Sequence, residues 1–231
     1  YTRDHGRFSK YMNNVRKIVE AFSSGISVLD RKSIEDVSEI DAELIITVGG
    51  DGTVLDVVPI AVEKNIPVIG VNCGRLGYLT SIDVSEAETV LPRLLSGNFY
   101  EDERKLITVG INDEGTTRFA LNETTIQKSG GAAMITITIE VDGEYGGTFR
   151  CDGIIIATPT GSTAYSLSCG GPIVMPYVDC LIVNFISPHD LTARPFVLPA
   201  SSSILIKAEK CNASGIYITV DSYELMSTSD V

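Results

Sequence analysis

Gly49-Gly50-Asp51-Gly52-Thr53 sits between two apolar runs and constrains this chain more than any other stretch. The run before it, Glu43 to Val48, is short and β-branched, as a buried parallel strand is. The run after it, Val54 to Val62, reads as a helix. Strand, glycine turn and helix start follow one another. The glycines let the backbone turn sharply and approach a ligand. The amides at the helix start form an anion site. Asp51 is out of place in such a cradle, because two unit charges ~4 Å apart repel by ~4 kcal/mol at an intermediate dielectric. Either it holds a metal ion or takes a proton from a hydroxyl attacking a phosphoryl group, or it caps the helix within a tight turn. No lysine follows the glycines, so the loop is not a Walker A motif.

Around this loop the first hundred residues alternate between helix and strand. Phe8, Met12, Val15, Ile18, Val19 and Phe22 recur at helical spacing, and Gly25 ends that helix. Ile26 to Leu29 is a short strand candidate. Pro59 falls inside the helix that follows the glycine loop, which predicts a short or bent first turn. Ile66 to Val71 is a further buried strand, ending in a second glycine loop, Asn72 to Leu79. Ser85 to Leu95 reads as a helix capped by Ser85 and stopped by Gly97. The alternation predicts a doubly wound, Rossmann-like α/β domain over residues 1–100, with ligands at the strand C-termini.

Beyond residue 100 the pattern changes to strands and turns. Leu106 to Ile111, Thr117 to Leu121, Met134 to Val141, Ile154 to Ala157, Leu181 to Phe185, Ser203 to Ala208 and Ile216 to Val220 all read as strands. Met134 to Val141 alternates cleanly, so one face is buried and one is wet. Residues 101–231 are therefore expected to form a β-rich, sandwich-like domain.

Composition excludes several classes of partner. The net charge is −12, so nucleic acid or an anionic membrane is a poor bulk partner. The cysteines, Cys73, Cys151, Cys169, Cys180 and Cys211, are odd in number, widely spaced and form no CxxC, which fits a reducing cytosol better than disulfides or zinc. His5 and His189 are the only histidines, so a multi-histidine metal site is not expected; His189 reads as structural. No apolar run approaches the ~20 residues of a membrane span, and no signal peptide is visible.

A second motif carries more information than the first. From Asp152 to Pro172 an apolar strand runs into a loop crowded with hydroxyls, then a short helix, then a Gly-Gly-Pro break. Hydroxyls and loop amides suit ribose and phosphate oxygens without adding charge, and Tyr165 offers a flat face and a polar tip to a nucleobase. The plainer reading is a Ser/Thr-rich turn capping a helix. Asn122 and Glu123, at a strand end, can hold a vicinal diol or simply solvate that end. Arg150 and Asp152, two residues apart, are either a structural ion pair or substrate contacts.

The ordered set Gly-Gly-Asp-Gly-Thr, Asn-Cys-Gly-Arg-Leu-Gly-Tyr-Leu, Leu-Asn-Glu, Asp-Gly, Thr-Pro-Thr-Gly-Ser-Thr-Ala-Tyr-Ser-Leu-Ser and Gly-Gly-Pro-Ile resembles the NAD kinase family, with Ser187-Pro188-His189 and Arg194-Pro195 extending the match. The first motif is shared with diacylglycerol, sphingosine and phosphofructokinase relatives. The Thr-Pro-Thr-Gly-Ser-Thr-Ala-Tyr stretch is highly specific.

The resemblance implies transfer of a phosphoryl group from ATP or polyphosphate to the adenosine 2′-hydroxyl of NAD. It implies a divalent cation, magnesium or manganese, and a homo-oligomer, while the cysteine and charge readings give a cytoplasmic setting without nucleic-acid or membrane partners. Asp51 resembles the family's proton acceptor, with Gly52 beside it, and no side chain is assigned to a metal. Tyr78 matches an aromatic lining the adenine pocket. Asn122 and Glu123 resemble the pair that binds sugar hydroxyls. Arg150 and Asp152 match positions near the nicotinamide half. Thr163, Ala164, Tyr165, Ser166 and Ser168 match the loop that wraps the dinucleotide. Where members show Asp-Gly-Gln, this chain has Asp221-Ser222-Tyr223-Glu224, and no ligand contact is assigned there. A lipid or sugar kinase, or a catalytically silent dinucleotide sensor, is the alternative.

Overall fold

The computed structural model describes all residues except 4, 23–24, 29–39, 75–76, 112–116, 132, 211–214, 222 and 229–231. Expectations at Leu29, Arg75, Leu76, the turn Asn112 to Gly115, Cys211 and Ser222 lie outside the described residues. The chain divides into two compact units, Tyr1–Asp102 and Glu103–Val231.

The first unit is α/β. It runs α1 (His5–Glu20), β1 (Ile45–Gly49), α2 (Asp51–Lys64), β2 (Val68–Asn72), β3 (Ile82–Asp83) and α3 (Ala87–Leu95). The three strands pair in parallel, in the order β1-β2-β3. Met12 and Val15 of α1 meet Val48, Val71 and Ile82 of the strands and Ala87 and Leu91 of α3 in one apolar cluster. The β1–β2 crossover helix, α2, buries Val54, Leu55, Val57, Val58 and Ile60.

Four local expectations are corrected here. α1 ends at Glu20, and Phe22 is exposed rather than on the core face. Ile26 to Val28 form no strand; Tyr1 already bonds Ile46 and Val48 of β1, so that edge is occupied. The helix after the glycine loop is not shortened by Pro59. It begins at Asp51 and runs 14 residues, so exposed Pro59 lies beyond its second turn. Ser85 does not cap α3, because its amide and hydroxyl both donate to Asp83 Oδ1, at 2.9 and 2.6 Å. Its hydroxyl is a donor there, whereas a cap must accept. Gly97 does close that helix, at φ 83° with its amide on the Leu94 carbonyl.

The second unit is a β-sandwich. Its strands are β4 (Ile107–Gly110), β5 (Thr117–Ala120), β6 (Glu123–Lys128), β7 (Ile135–Val141), β8 (Glu144–Cys151), β9 (Gly153–Ala157), β10 (Cys180–Ile186), β11 (Phe196–Pro199), β12 (Ile204–Lys210), β13 (Ile216–Val220) and β14 (Tyr223–Thr228). A six-stranded sheet, ordered β11-β10-β9-β6-β13-β14, faces a three-stranded sheet, β12-β7-β8. Ile135, Ile137 and Ile139 of the small sheet bury against Ile154, Ile156, Val183 and Phe185 of the large one. Their alternation is what the clean period of two in β7 foretold. β9 is apolar throughout because it is covered on both faces. Ile154 and Ile156 face the small sheet, while Ile155 and Ala157 meet Ile182 beneath the loop that carries Cys169 and Val174.

Candidate functional site

In the first unit the glycine loop is itself the first turn of α2. Gly50 is the N-cap with no side-chain bond, and the Thr53 amide donates to its carbonyl at 2.8 Å. Asp51 therefore does not cap the helix. Its carboxylate binds the second glycine loop instead. Oδ2 accepts from the Tyr78 amide at 2.8 Å, and Oδ1 accepts from the amides of Leu79 and Thr80 at 3.0 and 3.1 Å and the Thr80 hydroxyl at 3.3 Å. A carboxylate offers about four acceptor sites. Oδ1 is saturated and Oδ2 keeps acceptor capacity. A Cβ on Gly77 would lie 2.8 Å from Oδ2 and closer still to Oδ1, so only glycine lets the loop approach. Gly52 is half-buried, and Arg3 lies over it, its Nη2 donating to the Gly52 carbonyl at 2.9 Å and its Nε to Asp56 at 2.7 Å. Burial matters less to that guanidinium than its bond to Asp56, which raises its pKa. Sequence reasoning passes over Arg3, since it stands 46 residues before the motif it meets. Tyr78 is 75% exposed, its ring in the open and its amide on Asp51. A separate cavity of about 420 Å³ lies beside α1 and β1, but it is lined by none of the predicted site residues.

In the second unit the hydroxyl-rich stretch leaves the C-terminal end of β9. It forms a 3-10 turn (Thr160–Thr163) and then a single helical turn, α4 (Tyr165–Ser168). The start of β6 lies beside it. The Asn122 carbonyl accepts the Thr158 amide at 2.9 Å, and the Thr158 hydroxyl donates to the Leu121 carbonyl at 2.6 Å. Gly161 crosses Asn122 so closely that a Cβ would lie 2.7 Å from its Cα. Glu123 is 7% exposed, and its carboxylate accepts the Tyr165 amide while Oε2 has no hydrogen-bond partner. Burial, then the nearby Asp221 charge, push its pKa up to about 7.

Glu123, Thr125 and Gln127 share one face of β6, paired across to Ala157, Ile155 and Gly153. Tyr165 extends over that face, its hydroxyl 3.5 Å from Gln127 Oε1, which also accepts from Tyr217 at 3.0 Å. At the far end of the strip Asp152 pairs with Lys128 at 2.7 Å. Asp152 thus takes its cation from β6, not from exposed Arg150, whose carbonyl accepts the His189 amide. The Arg150–Asp152 ion pair left open by spacing is not what forms.

The wrapping loop divides by exposure. Tyr165 and Ser168 are exposed, and Thr163 and Ala164 are half-buried. Ser166 is not available to a ligand. It is fully buried, and Asn184 Nδ2 donates to its carbonyl at 3.0 Å, so it braces the loop. Cys151 is buried within the sandwich core and serves packing.

Family models for the ATP-NAD kinase N-terminal domain and the ATP-NAD kinase C-terminal domain match residues 7–99 and 121–231. The NAD kinase of Methanopyrus kandleri is 41% identical over 207 residues, covering 89% of this chain and 73% of that protein. The chain belongs to the NAD kinase family. The NAD kinase of Geotalea daltonii is 40% identical over 190 residues, 81% of this chain and 66% of its own length. This chain spans about two thirds of the length of such curated family members. Among solved structures, an Archaeoglobus fulgidus NAD kinase in complex with ATP superposes with a TM-score of 0.77 at 28% identity, over 98% of this chain and 84% of that one. Yeast NADH kinase complexed with NADH gives 0.74 at 27%, over 94% and 70%. The two-domain α/β-then-β family fold is therefore the fold of this chain.

Among the described residues no helix is long and apolar enough to cross a membrane. Nor does any group of three or more His, Cys, Asp or Glu stand together to hold a metal ion among them.

Proposed function

We propose that this chain is an NAD kinase, transferring a phosphoryl group from ATP or polyphosphate to the adenosine 2′-hydroxyl of NAD. The observation that carries the reading is Glu123: a buried carboxylate oxygen with spare acceptor capacity, fixed beside an exposed tyrosine, in a chain of this family. Buried polar atoms are normally satisfied, so an orphaned acceptor suits a hydroxyl-bearing ligand. With the second unit carrying the acceptor, Asn122 and Glu123 take sugar hydroxyls, and Thr163, Ala164 and Ser168 line the chain's path. Tyr165 stacks on a base, and Arg150 and Asp152 meet the nicotinamide half. Ser222 and Tyr223 are given no ligand role.

In the first unit Oδ2 of Asp51 is the atom for the acceptor hydroxyl, accepting its hydrogen bond and then its proton as phosphoryl transfer proceeds. Gly52 keeps the backbone beside it free of a side chain, and Tyr78 supplies the aromatic wall. A divalent ion, magnesium or manganese, would neutralise the charge of the donor's phosphates. Exposed Ile173, Met175 and Tyr177 support self-association into a homo-oligomer. Free Cys73, Cys151, Cys169 and Cys180 support a cytoplasmic setting, with nucleotides rather than nucleic acid or membrane as partners.

The test is direct. The protein is incubated with NAD, magnesium and either ATP or polyphosphate, and NADP is read with an NADP-specific dehydrogenase. NADP formation is expected. Phosphorylation of diacylglycerol or a sugar phosphate in place of NAD would point to a lipid or sugar kinase. NAD binding by calorimetry without turnover would make the chain a sensor.

A further inference from the structure

Asp221 stands at the point where the family pattern is lost, yet it is almost completely buried, 4% exposed. Val220 of β13 pairs with Tyr223 of β14, and Asp221 opens the intervening turn with φ 47°. That left-handed conformation suits Asp better than most residues. Its carboxylate does not point to solvent. Oδ2 accepts the Leu121 amide at 2.6 Å, and Oδ1 accepts the amides of Asn122 and Glu123 at 2.8 and 3.2 Å. The Asp221 amide donates back to the Glu123 carbonyl at 3.0 Å. Three successive amides and one carbonyl at the head of β6 are thus tied to one residue nearly a hundred positions away.

We propose that Asp221 is the positioning residue of the Asn122–Glu123 corner, clamping its backbone and setting a negative charge behind the Glu123 carboxyl. This rests on the reading of Glu123 as the group that meets the acceptor's sugar hydroxyls. Two carboxyls buried side by side disfavour each other's charge. Burial raises the pKa of Asp221 against the pull of its three amides, and burial with the Asp221 charge raises that of Glu123 to about 7. Beside this corner Arg104 donates to the Thr160 hydroxyl, Tyr217 donates to Gln127, and the loop packed on β6 brings Tyr165 and Cys169. Burial raises the pKa of Tyr165 and of Cys169, which keeps both neutral where Glu123 titrates. Glu123 is therefore poised to change charge near neutral pH, and the Asp221 charge adds to the shift that burial sets.

The test titrates the Glu123 carboxyl by carbon-13 NMR, with its resonance assigned through Glu123→Gln, in the unsubstituted protein and in Asp221→Asn. The variant keeps the shape and removes the charge. Its Glu123 midpoint is expected to fall by about one pH unit. In the coupled assay, the pH at which KM for NAD begins to rise on acidification should fall by the same amount. At pH values above both midpoints KM for NAD should increase about five-fold, from the loss of one amide acceptor, while KM for ATP stays within two-fold. An unchanged Glu123 midpoint overturns the proposal, even if NADP is made. Absence of NADP formation refutes the kinase reading instead, and the NMR result still stands. Should Asp221→Asn fail to fold, the unsubstituted protein answers: the amide resonances of Leu121, Asn122 and Glu123 must shift together with one midpoint. Amides that titrate separately, or not at all, overturn it.

Discussion

Oδ1 of Asp51 lies 3.1 Å from the backbone nitrogen of Thr80, and this bond joins the two glycine loops of the first unit. The acidic residue that looks wrong for a phosphate cradle is the residue that assembles the cradle. Its Leu79 and Tyr78 contacts complete a clamp on three consecutive amides. Asp221 does the same to Leu121, Asn122 and Glu123 in the second unit. In each case a carboxylate holds three consecutive residues by their backbone amides.

Gly77→Ala is the sharpest probe of the first clamp. The added methyl would collide with both carboxylate oxygens of Asp51, so the loop or the carboxylate must shift and the clamp is broken either way. Turnover should drop at least ten-fold, with ~1–3 kcal/mol of stability lost as the amides lose their acceptor. Steady-state kinetics and urea denaturation check both; a variant with unchanged kinetics would show that the loop contact is dispensable.

Asp51→Asn carries two expected effects where the sequence motif suggests one. Loss of a proton acceptor should lower turnover by ~100-fold or more. The amide would also turn an N–H₂ toward the donors of Tyr78 or of Leu79 and Thr80, so ~1–2 kcal/mol of stability should go with it. Measuring NADP formation beside a denaturation curve separates the two. Wild-type turnover in this variant would remove Asp51 from the chemistry.

The sequence disclosed the architecture where period and punctuation were strong. β7 alternates and β9 is uniformly apolar, and each sits where that pattern requires, on a half-covered and a fully covered face. β6 was harder to see. Glu123, Thr124, Thr125 and Gln127 are polar, and their strand forms between β9 and β13, where Thr125 bonds Thr219 across the ladder and Gln127 Nε2 donates to Thr125. The candidate side chains Asp51, Glu123 and Tyr165 could be picked out by motif. Arg3, Asn184 and Asp221, which bond the backbone of Gly52, of Ser166 and of Leu121 to Glu123, lie far off in sequence and carry no local signal. The buried state of Ser166 was equally hidden, since only folding sets Asn184 against it.

Gly161→Ala tests how closely the hydroxyl-rich turn must pass the Asn122 corner. The new Cβ would meet backbone atoms of Asn122, not the end of a flexible chain. Overpacking of that kind costs about 3 kcal/mol when neither backbone can yield. The second unit should lose that stability, and NAD affinity should weaken at least ten-fold as Asn122 shifts. Calorimetric titration with NAD and thermal melts report the two losses; a variant as stable as the parent would mean that the turn can move aside.

Glu123→Gln should reverse the usual effect of removing a buried carboxyl. The Glu123 pKa lies above its ordinary value of 4.5, at about 7, because of burial first and the Asp221 charge second. A raised pKa means that the folded state binds the proton more tightly than the unfolded chain. The stabilisation from that proton is complete below the unfolded value near 4.5 and disappears as pH rises through 7. At pH 8 the native protein therefore carries a buried charge that costs up to about 3 kcal/mol, which glutamine does not carry. The difference in unfolding free energy between variant and parent should move in the variant's favour between pH 4.5 and pH 8. Urea denaturation at those two pH values measures it. A difference independent of pH would mean that Glu123 titrates at its ordinary value, and the electrostatic coupling to Asp221 would then be absent.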